Sequence, residues 1–245
     1  MKKKKHGEEF ISCLATNFKQ PIAVLVKRLL AVQLPDFPDE PPRSSEVDYA
    51  NSLIVLLVLQ FETWISRARH FDKRTHAKKN NEAYVLPCMK LLNDPKLQPI
   101  IDRLSEIYFL RDAIVHNHIW TYTQSWIQGR AHYSNFHLDL TWQSKPKKFN
   151  DIVNGKLPLL SFPRTKKLNL IVVPTFVGRR EVAAVFKTVK DALRILDELG
   201  YVKIVPKTPH VCFEKQLSYP FWSLIGRIQS SFIVQKNKRG KSREP

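Results

Sequence analysis

The stretch YFLRDAIVHNHIW, Tyr108 to Trp120, decides how the rest of the chain is read. On a helix, at about 100° per residue, Arg111 falls on one line with Ile100, Leu104, Ile107, Ile114 and His118, inside the apolar stripe. A charge stands where a leucine belongs. Arginine cannot shed its proton, so such a position costs several kcal/mol unless a carboxylate, a phosphate or a partner subunit meets the guanidinium. Asp112 and His116 are four apart and share a second face, beside the first. Three polar side chains of different chemistry therefore converge on one edge of one helix.

Outward from this helix the pattern is mostly helical. Residues 8 to 33 carry Phe10, Ile11, Leu14, Phe18, Ile22, Leu25 and Leu29 at helical spacing, with Pro21 as a kink or break. The prolines of LPDFPDEPPRSS, residues 34 to 45, make a linker. Ser45, with Asp48 three residues on, predicts a capped start for a helix over 46 to 71, and its run Leu53 to Leu59 predicts burial on nearly all sides. Glu62, close to that run, needs a partner: Arg111, or at the helix surface Ser66 or Arg69. A short helix is expected over 82 to 92. The motif helix, opened by Asn93-Asp94-Pro95, is expected over 96 to 118.

After the motif the period changes to alternation over 119 to 126 and 132 to 142, with Gly129 between, and predicts a β-hairpin whose Phe136, Leu138, Leu140 and Trp142 share one side. The hairpin interleaves Trp120, Tyr122, Trp126, Arg130, His132 and Tyr133; packing is the commoner use of such aromatics, base stacking the rarer one. LNLIVV, 168 to 173, predicts a short strand, and residues 180 to 200 are the clearest amphipathic helix, stopped by Gly200. Beyond it, YVKIV predicts a strand, SYPFWSLIGRIQSSFIV fits helix or strand, and KNKRGKSREP predicts a disordered basic tail.

The 245 residues, 43% of them hydrophobic, suffice for one large core. Net charge is +18, from 40 Lys and Arg against 22 Asp and Glu, which favours a polyanion partner, nucleic acid before a membrane surface. Cys13, Cys88 and Cys212 form no CxxC pair, so neither a disulfide framework nor a zinc site is suggested, and a reducing compartment, the cytoplasm, is expected. MKKKKHGEEF reads as a basic tail rather than a leader. No membrane span is expected, because the longest apolar run is far shorter than the roughly 20 residues a span needs. No histidine stands in an HExxH context and the seven glycines form no phosphate loop, so neither metal nor cofactor is expected.

Arg111-Asp112-x-x-x-His116, preceded by hydrophobic residues and followed by Asn117 and Trp120, resembles the R-(N/D/H)-x-x-x-H motif of the HEPN superfamily, with aspartate where asparagine is commoner. The resemblance implies a mainly α, HEPN-like helical bundle over residues 1 to 200, carrying a β-hairpin insertion at about 119 to 175 and followed by a C-terminal basic extension over 201 to 245. It implies a metal-independent endoribonuclease in a toxin or antiviral defence role, active as a homodimer through the motif helix, with an antitoxin as a possible regulatory partner. The alternative is a catalytically silent HEPN-like module that binds RNA or protein. Arg111 would meet phosphate, His116 would serve as acid or base, and Asp112 would orient one of them or hold Asn117. Glu62 and Asn117 would support them, with Lys78, Lys79, Arg130, Lys236, Lys238 and Arg239 binding RNA. An Arg111 sealed against Glu62 within one monomer would make the motif structural instead.

Overall fold

A computed structural model describes residues 17–35, 40–71, 94–116, 119–127, 129–138, 151–153, 162–200 and 209–240. The short helix at 82 to 92, the strand at 201 to 205, residues 8 to 16 of the first helix, Leu140 and Trp142 of the hairpin, and Asn117 and His118 lie outside them. Five α-helices and two antiparallel two-stranded sheets make up the described part, so the chain is mainly α.

Helix α1, Lys19–Ala31, begins just before Pro21, so the proline sits in its first turn. Helix α2, Ser44–Phe71, starts two residues earlier than expected: the Arg43 carbonyl accepts from the amides of Glu46 and Val47 and draws Ser44 and Ser45 into the helix. Along α2 no residue from Leu53 to Phe61 is exposed. By length and composition Ser44–Ser66 could cross a membrane, but its apolar faces pack against α1 and the next two helices, as in a core helix.

Helix α3, Gln98–Val115, follows a 3₁₀ turn whose Asp94 carboxylate accepts from the Lys96 amide at 2.9 Å. It stops three residues short of the expected end, with His116 as its C-cap. The reason is burial: Ala113 is the last buried residue of the helix, and Val115 is already half exposed.

Strands β1, Trp120–Ile127, and β2, Arg130–Leu138, form the hairpin, closed by a turn whose Gly129 has φ +73°. LNLIVV is not a strand; Asn169, at φ +56°, turns the chain back so that Ile171 makes a single bridge to Arg164 while Leu170 to Val173 are buried. Helix α4, Arg179–Glu198, buries Val182, Val185, Val189, Leu193 and Leu196, and Gly200 at φ +75° ends it. Strands β3, His210–Phe213, and β4, Gln216–Pro220, lead into helix α5, Leu224–Gly240.

The ambiguous segment is therefore strand to Pro220 and helix from Leu224. Lys236, Lys238 and Arg239, expected in a disordered tail, extend α5, since Lys and Arg are good helix formers and favourable near a helix C-terminus. Val211, Phe213, Phe221, Leu224, Ile225 and Ile228 pack in the same core cluster as α1 to α4.

One buried arginine ties three of these helices. Arg179, 3% exposed, donates through Nη2 to the carbonyl of Leu29 at 2.8 Å and to that of Val32, while its amide donates to Glu46 Oε1 at 3.1 Å and its Nε lies 3.6 Å from the same oxygen. Gly178 sits so close that a Cβ there would meet Pro42 Cγ at 2.9 Å. Replacing Arg179 with Met keeps the bulk but leaves Glu46 buried without its cation, a loss of about 3–5 kcal/mol. The check is a lower urea midpoint at unchanged m-value; a midpoint equal to wild type refutes the tie.

Candidate functional site

The motif residues lie at the C-terminal end of α3, where it crosses α2. Ile100, Leu104 and Ile107 carry the buried stripe, but Ile114 is only partly buried, so Arg111 stands where the stripe opens to solvent rather than within it. Its Nη2 donates to Glu62 Oε1 at 3.1 Å and its Nη1 to Asp112 Oδ1 at 2.7 Å. Its guanidinium carbon lies 6.0 Å from the centroid of the Tyr108 ring.

Of the partners expected for Glu62, the structure places Arg111. The pair is not sealed, because the Arg111 and Glu62 side chains keep 22% and 24% of their surface open and Asp112 keeps 39%. The guanidinium is thus oriented by two carboxylates and still reachable from solvent. One cation facing two carboxylates leaves the group with an excess negative charge when all three are ionised.

Tyr108 is a member of this group that the motif pattern passed over, although its spacing of three and four from Arg111 and Asp112 would have found it. The hydroxyl is buried beside the Glu62 carboxylate without a well-directed hydrogen bond. Burial pushes the Tyr108 hydroxyl well above its usual range, and the neighbouring Glu62 charge pushes it further. Burial also raises the Glu62 carboxyl; the Arg111 charge and then the Tyr108 hydroxyl oppose that rise.

His116 is exposed, and its amide donates to the Asp112 carbonyl at 2.9 Å, so it stands one turn beyond Asp112 at the open end of the helix. Asn117, Lys78 and Lys79 lie outside the described residues. Arg130 begins β2 at the hairpin turn, and Lys236, Lys238 and Arg239 fall in the last turns of α5. Among the described residues no group of three or more His, Cys, Asp or Glu side chains is placed to hold a metal ion. A scan against protein-family models, a search of curated proteins and a search of solved structures each find no match to this chain.

The direction of the Glu62 shift fixes a sign. A carboxyl raised in the folded state binds protons more tightly there than in the unfolded chain, so its contribution to stability is present at low pH and is lost as pH rises through the raised value. Glu62→Gln removes this dependence. The stability of wild type minus that of Glu62→Gln is expected to grow as pH falls from about 7 through the carboxylate range. Denaturant melts of both proteins across that range check it, and a difference that shrinks on acidification contradicts the assignment.

Proposed function

We propose that this chain is a metal-independent endoribonuclease, with the toxin or antiviral defence role that its likeness to the HEPN motif implies. The observation that carries the reading is Arg111: a guanidinium held in place by two carboxylates, open to solvent, five residues before the exposed His116. RNA brings its own nucleophile. The 2′-oxygen attacks the adjacent phosphorus and gives up its proton to a base; the bond to the 5′-oxygen breaks and that oxygen takes a proton from an acid. The products are a 2′,3′-cyclic phosphate and a 5′-hydroxyl.

Imidazole titrates near neutrality and suits either proton transfer, which is the role of His116. The planar fork of Arg111 suits the charge that develops on the phosphoryl oxygens. Glu62 and Tyr108 position it. One histidine cannot be acid and base at once, so a second copy of the chain supplies the other, in a homodimer about the motif helix end. The net charge of +18 draws the polyanion in.

A second reading has its own observation. Because Arg111 is already matched by Glu62 within one chain, it could be purely a structural ion pair in a silent RNA-binding or protein-binding module. The two readings part on one experiment. Purified protein is incubated with single-stranded and structured RNA in EDTA and the products are examined for 2′,3′-cyclic phosphate ends. Under the ribonuclease reading cleavage persists in EDTA, His116→Ala lowers it by about 10²- to 10⁴-fold, and Arg111→Ala by about 10²- to 10³-fold, with His116→Ala keeping the wild-type melting temperature. Full activity of His116→Ala at matched purity ends the catalytic assignment; a lower melting temperature for Arg111→Ala with no cleavage by any variant leaves the structural pair.

A further inference from the structure

Among the described residues, five of the six exposed large hydrophobics, Val115, Ile119, Tyr122, Trp126 and Ile127, fall between positions 115 and 127, the sixth being Val24. They run from beside His116 out along β1 to the hairpin tip. Tyr122 is only edge-exposed, since its ring packs on Tyr133, Phe136 and Phe176 at 5.4–5.6 Å between centroids. Among the described residues no ring covers Trp126 in this way. The residue is 69% exposed, the largest exposure of the six, and its cross-strand partner is Ala131, too small to shield a ring face.

The arm has a second property. From Ile119 to Leu138 it contains no Asp or Glu, while Arg130, His132 and His137 lie within it. By register Trp126 shares a face with Gln124, and the other face carries Thr123, Ser125 and Ile127 opposite Ser134, His132 and Arg130. One side thus offers a ring, the other hydroxyls and imidazole. The chain's net charge of +18 favours as occupant a nucleic-acid strand, which brings the opposite charge.

We infer that the β1–β2 hairpin is a single-strand-binding arm on which Trp126 stacks an unpaired RNA base and from which the strand leads toward Arg111 and His116. Any base presents a π-face to the indole, so the arm holds RNA with little sequence preference. Because β1 starts four residues after His116, a strand held on the arm is delivered to the catalytic end of α3. The inference rests on the ribonuclease reading only in taking RNA as the ligand.

The test measures binding, separately from cleavage, with a fluorescein-labelled single-stranded RNA of about 12 nucleotides followed by anisotropy in EDTA, using full-length His116→Ala protein. Adding Trp126→Ala is expected to weaken binding about tenfold. Trp126→Phe should restore most of it, and Trp126→Leu, which keeps apolar bulk without a stacking ring, should not. In the His116-containing protein Trp126→Ala should raise KM with kcat unchanged. Wild-type affinity in Trp126→Ala, or full rescue by Trp126→Leu, overturns the inference. So does sedimentation showing that Trp126→Ala dissociates a dimer while RNA affinity per chain stays the same, which would assign the arm to a second copy. Failure of cleavage in every variant with the tenfold binding loss intact would remove the ribonuclease reading and leave the arm standing.

Discussion

The Arg179 tie is the constraint on which the arrangement depends. Helix α2 is apolar on nearly every side and needs neighbours all round, and α1, α3 and α4 supply them. Apolar packing sets how close these helices come but leaves them free to slide. Arg179 removes that freedom at one end, because it collects the last carbonyls of α1, the first turn of α2 and the start of α4 around one buried guanidinium. The Leu29 carbonyl also accepts from the Val32 amide at 3.2 Å, so the guanidinium adds a second donor there and supplies one to Val32 just past the helix end, where buried groups without partners are costly. With α2 and α4 held, α3 has one seat between them, and that seat decides which residue of α2 meets Arg111.

The buried carboxylates show why that meeting is chemically different from its surroundings. Glu106, 2% exposed, accepts the amides of Lys167 and Leu168 at 2.6 and 2.7 Å. Glu181 accepts those of Gly178 and Ile171. Both are held by backbone donors that cannot leave. Glu62 is held only by side chains, Arg111 foremost, and is partly open. Burial raises it, so the fold carries there a carboxyl whose charge is less firmly set than that of an ordinary surface glutamate. A guanidinium bound in this way is fixed in direction without being shut away.

The hairpin divides its aromatics between two uses. Tyr122, Tyr133 and Phe136 close over Phe162 and Phe176 in a satellite cluster outside the main core. The arm is thereby anchored at its base, while Trp126 and Ile127 near its tip are exposed. Alternation in the sequence marks both groups identically, and the register puts Trp126 on the face of Gln124 and its partner Tyr133; packing on Phe162 and Phe176 is what separates the covered rings from the open one.

Much of this was legible in the sequence where local chemistry is decisive. Periodicity located α2, α3 and α4, Asp94-Pro95 marked the start of α3, and Gly129 marked the hairpin turn, because each depends on residues a few positions apart. Local patterns could also place Arg111, Asp112 and His116 on one helix end. They could not show whether Arg111 would lie within the apolar stripe or at its mouth, since that depends on how far α2 and α4 cover α3. Nor could they choose among Arg111, Ser66 and Arg69 as the partner of Glu62, or show Lys236 to Arg239 extending a helix, because these follow from packing between segments far apart in the chain. The sequence by itself determined the helices and the chemistry carried on the end of one of them. The tertiary structure decided which charges meet there and which remain open, because burial and long-range contact are properties of the packed chain alone.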